Sequence, residues 1–280
     1  MRSLNFFNPG PPIRQRQGNV ADNSIFARGT IALKIQGCLD ILAPMKLDFA
    51  NERLLAVVAH PDDAELLCAG TLARAKADGA VVAICVLCNG DKGQPNKRIK
   101  NLKAVRRREM EAAGGLLGAE LFFGGFSDAT LSDGSPGRAR LIEVYRQFKP
   151  SLVLAHSPED YHTDHRAASA LAEAASWHSS SRGQKSKFAP LKSPPAIWWM
   201  DTLNMSGFAP EFFVDVSRYA NLKHEMLACH KSQLARGKDG DFSPLNDLMH
   251  TQYRARGMQS DVFAAEAFRA HHAFKRTRAW

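Results

Sequence analysis

The chain has 280 residues, 45% of them hydrophobic, and a formal charge of +9 at neutral pH. That length holds one large domain or two small ones with a sizeable core, and no stretch of 18 uninterrupted apolar residues marks a transmembrane helix. The first residues lack the charged start, apolar centre and cleavage site of a secretory signal. Five cysteines without framework spacing fit a reducing compartment, so a cytoplasmic location is expected.

The charge is uneven. Residues 1–44 carry five Lys and Arg against two Asp and Glu, and residues 254–280 carry six against two. Most of the excess therefore sits at the two ends, without aromatics interleaved in a basic stripe. Nucleic acid is not an expected partner, and a surface favouring anionic small molecules is the simpler reading.

Residues 1–44 begin with Pro9-Gly10-Pro11-Pro12 and Arg14-Gln15-Arg16-Gln17 and show no sustained period. They read as a flexible extension to a domain spanning residues 45–280. The alternative is a strand or short helix around Ile31 to Leu42 packed on that domain. From residue 54 onward strands and helices alternate. Leu54–Ala59 reads as a strand, Glu65–Asp78 as a helix ended by Gly79, and Val81–Cys88 as a second strand. Ile99–Leu117 reads as a helix closed by Gly118, Leu121–Phe123 as a short strand, and Ala139–Phe148 as a helix stopped before Pro150. Leu152–Ala155 is a fourth strand and Asp164–His178 a further helix. The segment Ser179–Pro195 reads as a loop, Ala196–Met200 and Phe212–Val216 as strands, Asn221–His230 as a helix, and Ser260–Phe274 as a last helix. The alternation predicts an α/β fold, a mostly parallel sheet with helices on both faces.

Two clusters leave the ends of such strands. Ala59-His60-Pro61-Asp62-Asp63-Ala64-Glu65 follows the first, and His162-Thr163-Asp164-His165 follows Leu152–Ala155. Open α/β sheets bind ligands beyond the carboxyl ends of their strands, so both clusters point to one crevice. Catalytic zinc takes three protein ligands and keeps one position open. His60, Asp63 and His165 supply such a set, although imidazole and carboxylate suit other divalent metals too. Asp62, beside a ligand, suits a general base acting on metal-bound water. His162, three residues before His165, is placed to stabilise an oxyanion or protonate a leaving amine as an imidazolium, with Asp164 orienting its ring. Arg106 could reach substrate hydroxyls or an acidic group through its forked donors. Each motif has a plainer explanation as a helix-capping turn. Their joint occurrence at two strand ends favours the metal site. Cys85 and Cys88 lie in an apolar strand whose alternation sends them to opposite faces, which argues against a thiol site.

Together these motifs resemble the family of zinc-dependent N-acetylglucosamine deacetylases named for the PIG-L and LmbE proteins. The first motif stands here as AHPDDAE at 59–65, with Ala64 inserted before Glu65, and the second as PEDYHTDH at 158–165, with Thr163 where many relatives have Pro. CNGDKG at 88–93, VRRRE at 105–109 and CHKSQ at 229–233 also match. The likeness runs from about residue 53 to the C-terminal region and leaves out residues 1–44. It implies a Rossmann-like sheet, one Zn2+ held by His60, Asp63 and His165, Asp62 as base, and His162 polarising a tetrahedral intermediate. It also implies hydrolytic removal of an N-acetyl group from an amino-sugar small molecule. AEAFRAHH at 265–272 is similar to members of bacillithiol biosynthesis, which deacetylate N-acetylglucosaminyl malate. Hydrolysis of another acyl amide, or a non-catalytic sugar- or nucleotide-binding module, are the alternatives. No G-x-G-x-x-G follows the first strand to favour a dinucleotide. A homo-oligomer is compatible with all of this.

Overall fold

A computed structural model describes residues 47–238 and 244–273. The extension expected over residues 1–44, its alternative around Ile31 to Leu42, and Cys38 lie outside the described residues.

Leu54–Val58 are all fully buried. Leu54, Ala56 and Val58 enter one apolar cluster, and Leu55, Val57 and Ala59 enter another. A strand covered on both faces reads as an unbroken apolar run, which is why alternation is absent there. This strand, β1 (Arg53–Val58), lies between β2 (Val81–Cys88) and β4 (Leu152–Ala155), parallel to both. β3 (Glu120–Phe126) and β5 (Ala196–Met200) extend the parallel sheet outward. β6 (Phe212–Asp215) and β7 (Ala265–Ala270) complete the seven-stranded order β3-β2-β1-β4-β5-β7-β6, with β7 antiparallel to its two neighbours. The expected mostly parallel α/β sheet is therefore present. The chain runs outward from β1 to one edge, then returns to β4 on the other side of β1. That reversal opens a crevice at the carboxyl ends of β1 and β4.

The helices are α1 (Asp63–Leu67), α2 (Ala69–Ala77), α3 (Leu102–Leu117), α4 (Ser135–Phe148), α5 (Thr163–His178), α6 (Ala220–Ala228), α7 (Lys231–Leu234) and α8 (Leu245–Gln259). The single helix expected over Glu65–Asp78 is two helices, broken at Cys68. Buried charges hold the break. Glu266 accepts from the amides of Gly70 at 2.9 Å and Thr71 at 2.7 Å, where α2 starts. Lys223 donates to the Glu65 carbonyl at 2.8 Å, where α1 ends, and pairs with Glu266. Gly70 is required for the approach, since a Cβ there would lie 2.7 Å from the Val216 Cβ.

The helix expected over Ser260–Phe274 is corrected. The chain forms α8 before this region and strand β7 within it. Its Ala-rich composition favours a helix, but the slot between β5 and β6 takes it as a strand. Phe268 then packs into one cluster and Ala267 into the other. The expectation that Cys85 and Cys88 face opposite sides also fails. The β2–β3 register shifts between Val86 and Cys88, and both thiols enter the same cluster.

Glu266→Gln leaves the Lys223 charge buried without its partner. It is expected to destabilise the fold by about 3–5 kcal/mol. Chemical denaturation checks this, and Lys223→Met added to Glu266→Gln should restore part of the loss.

Candidate functional site

All seven site residues singled out in the sequence line one cleft of about 280 Å³: the motif residues His60, Asp62, Asp63, His162, Asp164 and His165, and Arg106. That volume is at the small end of ligand pockets, which run from about 300 to 1,000 Å³. Asp128 and Ala129 share the cleft, with Lys92 and Arg236 on one side and Tyr161, Leu203 and Leu245 as apolar lining.

The loop after β1 turns sharply. Asp62 has φ 110 and ψ −22, a backbone that L-residues rarely adopt, and its side chain makes no helix-capping bond. Asp63 Oδ2 instead accepts from the His60 amide at 2.7 Å and folds the loop back on itself. Strain of this kind costs about 1–3 kcal/mol and persists where the surroundings over-determine it. Here the surroundings are Arg106, which donates to Asp62 Oδ2 at 2.9 Å and to the Pro61 carbonyl. Arg106 is only 3% exposed. Arg106 lines the cleft as expected, with its Nη2 committed to the Asp62–Pro61 loop.

Asp63 sits at the centre. Its Oδ2 lies 3.5 Å from His60 Nδ1, and its Oδ1 lies 3.4 Å from His165 Nε2. Tetrahedral zinc with bonds of about 2.0–2.2 Å separates neighbouring ligand atoms by about 3.3–3.6 Å, a spacing each contact has through a different oxygen of Asp63. Donor atoms within 4.8 Å of one another fall into the sets His60–His162–His165, Asp63–His156–His165 and His60–Cys88–Asp164. The expected His60, Asp63 and His165 are divided between these sets, and the cluster offers more donors than three. Burial, together with the neighbouring Asp164 and Asp128 carboxylates, pushes the Cys88 thiol up and keeps it neutral.

Asp164 is placed differently from expectation. Its Oδ2 lies 3.1 Å from His60 Nε2 and accepts from the Ala129 amide at 2.8 Å. Only its backbone amide meets His162, donating to Nδ1 at 3.2 Å at the start of α5. Asp164 thus orients His60, because the first helical turn points its carboxylate toward β1. That backbone bond also fixes the His162 tautomer, with Nδ1 accepting and Nε2 carrying the proton. Burial lowers the His162 pKa, and the positive His165 and His60 lower it further. With Nδ1 accepting from the Asp164 amide, Nε2 is the nitrogen His162 has left as a donor.

Sequence reasoning gives no role to four neighbours, although Glu65, Asp160 and His230 stand inside the motif stretches quoted above. His156, the residue after β4, is fully buried, stacks on His165 with ring centroids 4.0 Å apart, and is held near pKa 4 by burial and the adjacent His165 charge. Its position directly after a strand is a usable signal. Asp160 lies 3.2 Å from His165 Nδ1. Glu65 and His230 form a fully buried pair at 3.2 Å behind the cleft. Nothing in the spacing of these last three residues announces their contacts.

This arrangement can be set beside known proteins. The conserved protein TT1542 from Thermus thermophilus has a solved structure that superposes with a TM-score of 0.68 at 30% identity, covering 81% of this chain and all of that one. The protein-family model described as "PIG-L: GlcNAc-PI de-N-acetylase" matches residues 55–176. The chain belongs to the PIG-L/LmbE family. Among curated PIG-L relatives, a 4-oxalmesaconate hydratase from Pseudomonas putida is 27% identical, over 64% of this chain and 73% of its own length. A 1D-myo-inositol 2-acetamido-2-deoxy-alpha-D-glucopyranoside deacetylase from Mycobacteroides abscessus is 25% identical, over 71% of this chain and 88% of its own length. The matched residues 55–176 of the PIG-L domain contain both strand-end clusters. No described helix is long and apolar enough to cross a membrane.

Without a cation, this PIG-L site stores protons. Burial opposes charge on His60, but the Asp164 hydrogen bond and the Asp63 carboxylate outweigh it and lift its pKa to about 10. His165 is raised to about 9, with burial overcome by Asp63 and Asp160. Asp63 is held well below the usual range, since the His165 and His60 partners overcome its burial. A free imidazole titrates near 6.5, so between that pH and the folded values the native state holds more protons than the unfolded chain. The two histidines are expected to favour the metal-free fold most from about pH 6.5 down to the carboxylate range, where the Asp63 contribution is lost, and to lose their own contribution as pH rises to about 9–10. Melting curves across this range check it. Cation binding displaces these protons, so uptake at pH 7 should release about two protons and tighten as pH rises, measurable by calorimetry in buffers of different ionisation enthalpy. Separately, Asp62→Gly should be more stable than Asp62→Ala by about 1 kcal/mol, because Gly accepts the positive φ.

Proposed function

We propose that the protein is a metal-dependent hydrolase that removes the N-acetyl group from a small molecule containing N-acetylglucosamine, with N-acetylglucosaminyl malate among the candidate substrates. The observation that carries this reading is the placement of Asp62 beside two carboxylate-braced imidazoles in one narrow cleft. His60, Asp63 and His165 are the residues that would hold the cation, with zinc the ion that suits them best. A bound divalent cation supplies Lewis acidity at an amide carbonyl. The rest of the work falls to the chain. Burial raises the Asp62 pKa, and the nearby Arg106 charge opposes this. Raised proton affinity makes Asp62 a better base toward the attacking water. Arg106 fixes the carboxyl through one oxygen and leaves the other to accept the proton. His162 donates its Nε2 proton in a hydrogen bond to the developing oxyanion. Asp62, holding the proton taken from water, returns it to the departing amine. The products are acetate and a free amino sugar.

A second reading rests on the hydratase among the relatives. Addition of water to an unsaturated acid would use the same base, and Lys92 and Arg236 at the cleft would suit a carboxylate substrate. Acetate release from N-acetylglucosaminyl malate and simpler conjugates, measured alongside hydration of a conjugated dicarboxylic acid, separates the two. Acetate release that chelation abolishes supports the deacetylase. Hydration without acetate release replaces it. Removal of longer acyl groups only would keep the hydrolysis and change the substrate, and absence of both bound metal and turnover, even after zinc is added back, would favour a binding module. Asp62→Ala is expected to keep the cation and lose about 10²–10⁴-fold in turnover. His60→Ala and His165→Ala should lose both cation and activity.

A further inference from the structure

Asp160 is 1% exposed and, among the described residues, its ion-pair partner is His165. A carboxylate this deeply buried must be satisfied by donors. Two backbone amides donate to it, and the His165 ring lies against it. Oδ1 accepts from the His162 amide at 2.9 Å. Oδ2 accepts from the Leu203 amide at 3.1 Å and lies 3.2 Å from His165 Nδ1.

The contact on His165 has a counterpart across the cleft. His60 turns Nδ1 toward Asp63 and Nε2 toward Asp164. His165 does the reverse, with Nε2 toward Asp63 and Nδ1 toward Asp160. Each imidazole therefore has one nitrogen on the shared central carboxylate and the far nitrogen on a private one. A carboxylate on the far nitrogen holds the proton there, fixes the ring, and leaves the near lone pair free for a cation.

We infer that Asp160 is a positioning residue that holds His165 in the Nδ1-protonated tautomer, with Nε2 presented to the cation, and pins the Leu203 wall of the cleft to that same ring. The inference rests on the reading of His165 as a metal ligand given above. One carboxylate then sets both the ligand and the nearest part of the substrate wall. Its backbone bond to His162 adds the oxyanion donor to the same unit.

The test uses the full chain and zinc alone, with affinity read by competition against a chromogenic chelator. Asp160→Asn is expected to weaken zinc binding about 10–100-fold. Glu159→Gln, next in sequence but paired outward with Arg269 at 2.8 Å, should bind zinc as the unaltered protein does. The second readout is long-range proton–nitrogen correlation on the zinc-loaded protein, with the His165 signals assigned by their loss in His165→Ala. Coordination through Nε2 with the proton on Nδ1 is the expected result, and a shift toward mixed forms is expected in Asp160→Asn. Coordination through Nδ1 in the unaltered protein overturns the inference, even if Asp160→Asn does not fold. Unchanged zinc affinity in a folded Asp160→Asn does so as well. Should His165→Ala bind zinc as tightly as the unaltered protein, it is the ligand reading that falls.

Discussion

The parallel pairing of β1 with β4 is the constraint on which the cleft depends. It sets Val57 opposite Ala155, so the next residues on each strand leave the sheet at the same edge and height. His60, Asp62 and Asp63 come from one strand end, and His156, Asp160, His162, Asp164 and His165 from the other. Neither segment carries a complete ligand set. Ala59 N lies 3.0 Å from His156 Nε2, so the two strand ends are joined where the sheet stops. Since β1 and β4 are both buried on two faces, the register has little freedom to slip.

Once that many charges share a dry space, their mutual compensation dictates the details. Asp63 stands among His60, His156 and His165, and Asp164 and Asp160 stand behind the first and last of these. Asp62 is kept out of this group by its left-handed backbone and turned toward Arg106. Two adjacent carboxylates in the sequence are thereby given opposite proton affinities, Asp63 lowered and Asp62 raised. A divergence of this kind between neighbouring titratable groups is how acid and base roles are divided. Gly90 contributes by absence of a side chain. With φ +69, it leaves space that a Cβ would take from Arg106 at 2.5 Å, and its amide donates to Asp128.

Much of this is readable from the sequence, for reasons specific to each element. β1, β2, β4 and β5 are short apolar runs bounded by turns, and buried parallel strands have that appearance. The six motif residues lining the cleft are close neighbours in sequence, so strand ends are enough to bring them together. Arg106 stands out for its donors, but its inward turn depends on Gly90 and on the strained Asp62, neither of which a sequence pattern displays. The partner of Asp164 is not readable either, since both His60 and His162 are within reach of a carboxylate at the start of α5. β7 reads as a helix because Ala, Glu and Arg favour helices, and only the gap between β5 and β6 overrides that preference.

That last strand also explains how a strained loop stays in place. β7 carries Glu266 beneath the cleft, where it caps α2 and neutralises Lys223, and Lys223 in turn ends α1. α1 begins at Asp63 and contains Glu65, whose carboxylate meets His230 just before α7. The C-terminal part of the domain thus grips α1 at two points, through Lys223 and through His230. A short helix gripped in this way cannot unwind to relieve the φ of Asp62. The cost of that backbone conformation is met by buried ion pairs some distance from the chemistry, which is how strain at a functional site is sustained. Antiparallel β7 therefore supports the strained loop as much as β1, the strand from which that loop leaves the sheet.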